Sequence, residues 1–230
     1  CGPVHDGRVK PEIVAMGSNV FSTYTPLNSY STISGTSMST PGITGTVALL
    51  AQRYKQLNGN VLPPSMLIKN IVCNNAADLG NPGPDYRFGF GRINALRAVK
   101  ALEDNRYVLN DVAQAGVREV NIVVPAGTAK LNVMLTWNDP AATANVSQAL
   151  VNNLDLFVTD GSNNHLPWIL NPATPSAAAT KAVDNISNIE QVTVENPAAG
   201  TYSLRVTGTS IASGPVQAYA LSWTVDAPYI

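Results

Sequence analysis

The chain has 230 residues, 14 basic against 15 acidic side chains and a net charge of −1, so no global field points to nucleic acid or an anionic membrane surface. Charged residues are 13% of the chain, about half the usual ~25%, and Ser, Thr, Asn and Gln must build the polar surface. The 45% apolar content excludes a disordered chain and supports one large domain or two ordinary ones.

The helical signals lie in the first half. After Thr40-Pro41 the apolar positions Ile43, Val47, Leu50, Ala51 and Tyr54 recur at helical spacing, with Gly59 near the end. The longest apolar run, Val47 to Ala51, is five residues, far short of the roughly 18 of a membrane span. A second helix is predicted from Pro64 to about Val72, carried by Met66, Leu67, Ile68, Ile71 and Val72. A third starts at Asn94, a good cap, and runs through Leu96, Val99 and Leu102. Two cysteines, Cys1 and Cys73, are too few for a disulfide framework; they pair once or stay free. A first residue that is Cys rather than Met reads as a processed or excised piece.

The period changes from 3.6 to 2 near residues 104–110, after the polar run Glu103-Asp104-Asn105-Arg106. Residues 1–105 carry nine Lys/Arg against six Asp/Glu, and residues 106–230 carry five against nine. In the second half Leu131, Val133, Leu135 and Trp137 alternate with Asn132, Met134 and Thr136. The same alternation runs through Leu154, Leu156 and Val158, through Tyr202, Leu204 and Val206, and through Tyr219, Leu221, Trp223 and Val225. Segments 118–124 and 189–195 read as further strands. Short strands divided by Pro/Gly/Asn turns make an antiparallel sandwich or barrel. Two of the three tryptophans, Trp137 and Trp223, fall on apolar strand faces, which favours core packing over a carbohydrate platform. Pro172 to Thr180 is a small-residue loop.

Gly35-Thr36-Ser37-Met38-Ser39-Thr40-Pro41 leads into the most hydrophobic helix. A serine there has helix N–H groups and the positive dipole end beside it, which favour developing negative charge. The competing reading is a helix cap, the commoner role of Ser and Thr at such positions, with Thr40 before Pro41 the ready candidate. The segment is not a Gly-x-Ser-x-Gly elbow, because Ser39 stands at the second glycine.

This segment resembles the serine motif of the subtilisin-like serine peptidases, Gly-Thr-Ser-Met-Ala-Thr-Pro. Upstream, Gly2-Pro3 and the run from Asp6 through Arg8, Pro11 and Ala15 to Gly17 resemble the family's Asp-Gly-Arg-Ile-Lys-Pro-Asp-Val-x-Ala-Pro-Gly. Downstream, Gly89-Phe90-Gly91-Arg92-Ile93-Asn94-Ala95 resembles the Gly-x-Gly-x-Val-Asn-Ala that closes the catalytic domain. The resemblance implies that Ser37 is the nucleophile and lends its own N–H to an oxyanion hole. Ser39, Glu12 and Met16 stand where the family more often has Ala, Asp and Pro. The family's Asp-Thr/Ser-Gly and His-Gly-Thr segments occur nowhere in these residues. His5 matches a surface-loop position and His165 lies in the β half, so neither is expected to serve as base. Without a base a serine hydroxyl is a weak nucleophile, and this chain alone is expected to be inactive.

In the second half, Trp137-Asn138-Asp139 and the stretch Leu150-Val151-Asn152-Asn153-Leu154-Asp155-Leu156 resemble elements of the C-terminal β-sandwich that some bacterial alkaline subtilases carry. Ser187 to Val192 and Pro197 to Tyr202 resemble further elements of the same domains. Such domains often bind calcium, which takes oxygen ligands. On that resemblance Asp139, Asp155 and Asp184 are the candidate ligands, with Asn138, Asn153, Asn185 and Glu190 as neighbours; the competing reading is ordinary Asn/Asp turns.

The expectation is thus an α/β portion at 1–105, the C-terminal part of a subtilisin-like catalytic domain, followed by an all-β antiparallel sandwich or jelly roll at 106–230. The resemblance implies a secreted or cell-surface serine endopeptidase acting on protein or peptide substrates, with Asp, His and the oxyanion Asn supplied by an N-terminal portion of the same protein. Structural calcium is the implied cofactor, and neither nucleic acid nor a membrane span is expected. The alternatives are a non-catalytic module whose sandwich recognises a polymer or protein partner, and a pseudo-peptidase lacking the histidine.

Overall fold

The structure is a computed structural model that describes residues 1–226. A short hairpin comes first, β1 (Val20–Tyr24) pairing with β2 (Ser29–Ile33), and three helices follow: α1 (Thr36–Leu57), α2 (Ser65–Asn74) and α3 (Ala95–Glu103). The first helix begins four residues before the expected Thr40-Pro41. Its cap is Gly35, which has no side-chain bond, and Pro41 sits inside the helix. Lying past the first turn, Pro41 removes the N–H that would have bonded the Ser37 carbonyl and its ring crowds that same carbonyl. The second helix spans nearly the predicted residues. In the third, Asn94 caps as expected, its side chain accepting the Arg97 N–H at 3.1 Å, but Leu96 points to solvent and Ala98, Ala101 and Leu102 form the buried face.

The all-β half contains β3 (Tyr107–Ala113), β4 (Val117–Val124), β5 (Lys130–Trp137), β6 (Asn152–Thr159), β7 (Asn164–His165), β8 (Trp168–Ile169), β9 (Thr180–Lys181), β10 (Ile189–Glu195), β11 (Gly200–Ile211) and β12 (Val216–Asp226). Two four-stranded antiparallel sheets, ordered β10-β5-β12-β3 and β4-β11-β6-β7, face each other. The alternating residues Leu131, Val133, Leu135, Leu154, Leu204 and Leu221 fill the space between them, each fully buried. Trp137 joins this core and its indole N–H donates to the Asn152 carbonyl at 3.0 Å; Trp223 packs at its margin. Trp168 lies elsewhere, on the small β8–β9 ribbon, where the Lys181 ammonium sits 4.7 Å from its ring centroid. Lys181 also donates to the Thr193 carbonyl at 2.8 Å, so a cation blunts the β10 edge.

The other face of the first sheet is not solvated. Met134, Thr136, Ala220 and Ser222 are fully buried there because α2 lies across β5 and β12. The seam is polar, and most of its donors find strand acceptors, although the Asn70 side-chain oxygen is buried without a partner. The Asn70 amide donates to the carbonyls of Met134 (2.8 Å) and Ala220 (3.0 Å), and Asn74 donates to the Ser222 hydroxyl at 2.9 Å. The Thr136 hydroxyl donates to the Met66 carbonyl at 2.9 Å, and Arg97 on α3 grips the Asp226 carboxylate with bonds of 2.7 and 2.8 Å.

The N-terminal strand-like segment is stitched to residues 86–93 through bonds such as Phe90 N–H to Glu12 carbonyl (2.9 Å) and Ile93 N–H to Val14 carbonyl (2.9 Å). Gly89 and Gly91 allow this approach. Both have positive φ (62° and 117°), and a Cβ on either would overlap backbone, that of Pro11 and Glu12 at Gly89 and of Ala77 at Gly91. No described helix is long and apolar enough to cross a membrane.

Candidate functional site

Ser37 lies in the first turn of α1, directly after β2, and is exposed. The Gly35 carbonyl starts the helix, accepting the N–H groups of Met38 (3.1 Å) and Ser39 (3.4 Å). The Thr36 and Ser37 N–H groups are therefore first-turn donors with no residue four positions back in the helix to bond. They project at the positive end of a 22-residue helix, where negative charge is stabilised. The turn is braced from outside: the Gly35 N–H donates to the Gly17 carbonyl at 2.8 Å, and the Asn19 N–H donates to the Ser34 hydroxyl at 2.9 Å. Ser39, the departure from alanine, turns its hydroxyl back to the Thr36 carbonyl at 3.1 Å.

Among the described residues neither histidine bonds to Ser37. His5 is exposed on the N-terminal loop, and His165 lies on β7 with Nε2 3.8 Å from an Asp160 oxygen. The base that serine chemistry requires is not assembled here. Glu12 sits apart, where burial would raise its carboxyl but Lys69 and Lys10 outweigh that and hold it low. Cys73 is buried among apolar side chains, and burial pushes its thiol up to about 12; both cysteines are free.

Of 22 residues in α1 only Leu50 and Tyr54 are buried, against six of ten in α2. Leu49 is 64% exposed, and Met16, Phe21, Tyr24, Leu27 and Tyr30 all exceed half exposure. These exposed apolar side chains fall largely in one stretch of chain on either side of the candidate nucleophile, and contiguous apolar surface of this kind marks an interaction face.

The three acids singled out on the sandwich separate into two environments. Asp139 spends both oxygens on backbone, accepting the Val151 and Asn152 N–H groups at 2.8 Å each, and so caps the start of β6. Asp155 and Asp184 instead share a buried region with Glu190. Burial raises all three carboxyls, and their mutual repulsion raises Asp184 and Glu190 further, Glu190 well above its ordinary value. Glu190 reaches across from β10 to accept the Leu156 N–H at 2.8 Å, Asp184 accepts the N–H groups of Ile186 (2.8 Å) and Ser187 (3.1 Å), and Asp155 accepts the Thr209 hydroxyl. Glu190 Oε1, Asp155 Oδ1 and the Asn153 side-chain oxygen are buried without a partner. No Lys or Arg among the described residues pairs with any of these acids. The donor set has the charge and the spare oxygens a hard cation takes, although among the described residues no three His, Cys, Asp or Glu side chains stand together as a ready cage. The sequence made Asp139 a candidate ligand and Glu190 only a neighbour; face-to-face packing of the two sheets, not strand pairing, brings Glu190 on β10 to β6.

Residues 1–91 match the family model described as the subtilase family, and residues 120–208 match that of the bacterial pre-peptidase C-terminal domain. The serine protease/ABC transporter B family protein tagA of Dictyostelium discoideum is 25% identical over 96% of this chain, which spans 15% of that relative. The PI-type proteinase of Lactococcus lactis subsp. cremoris is 30% identical over 81% of this chain, which spans 10% of it. Subtilisin DY of Bacillus licheniformis is 33% identical over 39% of this chain, which spans 29% of it. The chain thus spans only a minor part of each of these relatives.

Proposed function

We propose that this chain, a subtilase segment followed by a pre-peptidase C-terminal β-sandwich, is the serine-bearing end of a secreted serine endopeptidase. Ser37 is its nucleophile. The observation that carries this reading is the pairing of Ser37, exposed at the N-terminus of α1, with a bare apolar face made by Met16, Phe21, Tyr24, Leu27 and Tyr30 together with Leu49 on α1. In the active protein that face packs against the remainder of the catalytic domain, residues 1–105 forming one part of it and residues 106–230 the appended sandwich. That remainder supplies the histidine that takes the Ser37 proton, the aspartate that orients it and an asparagine amide facing the oxyanion.

Chemically, the Ser37 oxygen attacks a peptide carbonyl as its proton passes to the histidine. The Ser37 N–H stabilises the oxyanion at the helix end. The amine leaves with that proton and water resolves the acyl-serine. These residues alone, lacking the base, are inactive. Labelling by a fluorophosphonate decides the matter when done on the polypeptide that includes the residues upstream of Cys1. Wild type labels at Ser37 and Ser37→Ala does not; an upstream sequence without a triad histidine, or an unlabelled Ser37 in the wild type, ends the peptidase reading in favour of a binding module.

We further propose that calcium serves the sandwich structurally, held by Asp155, Asp184 and Glu190 with the side-chain oxygen of Asn153. Bound there, it would neutralise the repulsion among three buried acids and tie β6 of one sheet to β10 of the other. The three unpartnered oxygens and the lack of a basic counter-charge support this assignment.

A further inference from the structure

We propose that Gly17 is a positioning residue for Ser37, holding the nucleophile's turn in place through the absence of a side chain. The proposal rests on Ser37 being the nucleophile and concerns what aims it. Gly17 does not adopt a left-handed backbone, so its conformation alone would admit any residue. The space does not. A Cβ at position 17 would lie 2.7 Å from the Gly35 carbonyl oxygen, 3.0 Å from Ser39 Cβ and 3.3 Å from Ser39 Oγ. Those two residues flank Thr36, Ser37 and Met38.

The contact matters because of what the Gly35 peptide does. Its carbonyl receives the Met38 and Ser39 N–H groups that open α1, and its own N–H is held by the Gly17 carbonyl. One glycine therefore anchors the peptide from the N–H side by hydrogen bonding and from the carbonyl side by close packing. The Asn19 N–H to Ser34 hydroxyl bond fastens the adjacent residue. A methyl group at position 17 must push the Gly35 carbonyl away by a few tenths of an ångström. That shift rotates the first turn, and with it the Ser37 hydroxyl and N–H, away from a carbonyl they must meet at hydrogen-bonding precision. Misplacement of reacting groups by about 1 Å costs on the order of 100-fold in rate, so a shift of part of that is expected to cost roughly tenfold.

The test measures the second-order rate constant and the final extent of fluorophosphonate labelling, with kcat and KM on a peptide substrate, in the polypeptide that includes the upstream residues. Gly17→Ala is expected to lower the labelling rate constant and kcat about tenfold, leaving KM and the final labelled fraction unchanged. A merely structural glycine would lower the labelled fraction, because fewer molecules fold, and leave the rate constant of the folded ones alone; that result overturns the proposal, as does an unchanged rate. Ser34→Ala, which removes only the acceptor for Asn19, guards against a Gly17 variant that fails to fold. It should slow labelling about threefold, the value of one modest hydrogen bond, and no slowing there overturns the proposal. If wild type does not label at all, the nucleophile reading fails and this one with it; if wild type and Gly17→Ala label equally fast, only the role of Gly17 falls.

Discussion

Replacing Asn70 by alanine tests whether the helices and the sandwich are one structural unit. Asn70 is fully buried on α2, and its amide donates to carbonyls on two different strands, Met134 on β5 and Ala220 on β12. The alanine variant loses both bonds, each worth about 1 kcal/mol net, and leaves a small void between helix and sheet that adds roughly 1 kcal/mol or more. The expected loss is about 2–4 kcal/mol, a large share of the roughly 5–15 kcal/mol that holds a domain together. Urea denaturation followed by two probes reads it. Ellipticity at the helical minimum reports α1–α3, while fluorescence reports mainly Trp137 and Trp223 in and beside the sandwich core. With a slope of about 2–3 kcal/mol per molar urea, both midpoints should fall together by about 1 M. A helical transition that moves while the tryptophan transition stays put would refute the argument, since it would mean the sandwich is indifferent to what covers its first sheet. A shift below about 0.3 M in both would refute the bond count.

The acid cluster makes a prediction with a definite sign. Because folding raises the Asp155, Asp184 and Glu190 carboxyls, the folded chain holds more protons than the unfolded one above their ordinary values of 3.8 and 4.5, so these groups cost stability as pH rises from there through their folded values. In chelator, wild type should lose Tm over that range relative to Glu190→Gln, and calcium should restore wild type at pH 8 but not the variant. A calcium-independent Tm would remove the metal proposal, and parallel pH curves for the two proteins would remove the electrostatic one. Alkylation separates the two thiols: iodoacetamide at pH 8 should modify the exposed Cys1 in the native chain and spare Cys73 until urea unfolds it, whereas native modification of Cys73 would contradict its burial.

Local signals and tertiary contacts divided the information unevenly. Asn94 before Leu96 and Val99 announced α3 because a side-chain cap is a bond within four residues. The alternation Leu131-Val133-Leu135-Trp137 announced β5 because strand periodicity needs no partner to be visible. The same pattern misled about the other side of that strand: Thr136 and Ser222 look like solvent-facing positions, yet both are fully buried. The hairpin β1–β2 and strand β3 gave no comparable signal, being Ser/Thr-rich or mixed, and pairing rather than composition makes them strands.

The candidate site divides along the same line. Gly35-Thr36-Ser37 at the head of an apolar run is a local fact, and the sequence by itself determined the nucleophile candidate, the helices that follow it and the switch to an all-β half. Tertiary structure alone decided that α1 is left bare, that α2 is shared by both halves, that Gly17 abuts Gly35, and that Glu190 rather than Asp139 joins Asp155 and Asp184. The physical reason is separation along the chain. Gly17 and Gly35 are 18 residues apart, Glu190 and Leu156 are 34, and Asn70 and Ala220 are 150, so each contact exists only once the intervening chain has folded back and the loop-closure entropy has been met by burial elsewhere. Periodicity along a strand reveals which face is apolar; what comes to cover the other face is written in no single stretch of residues.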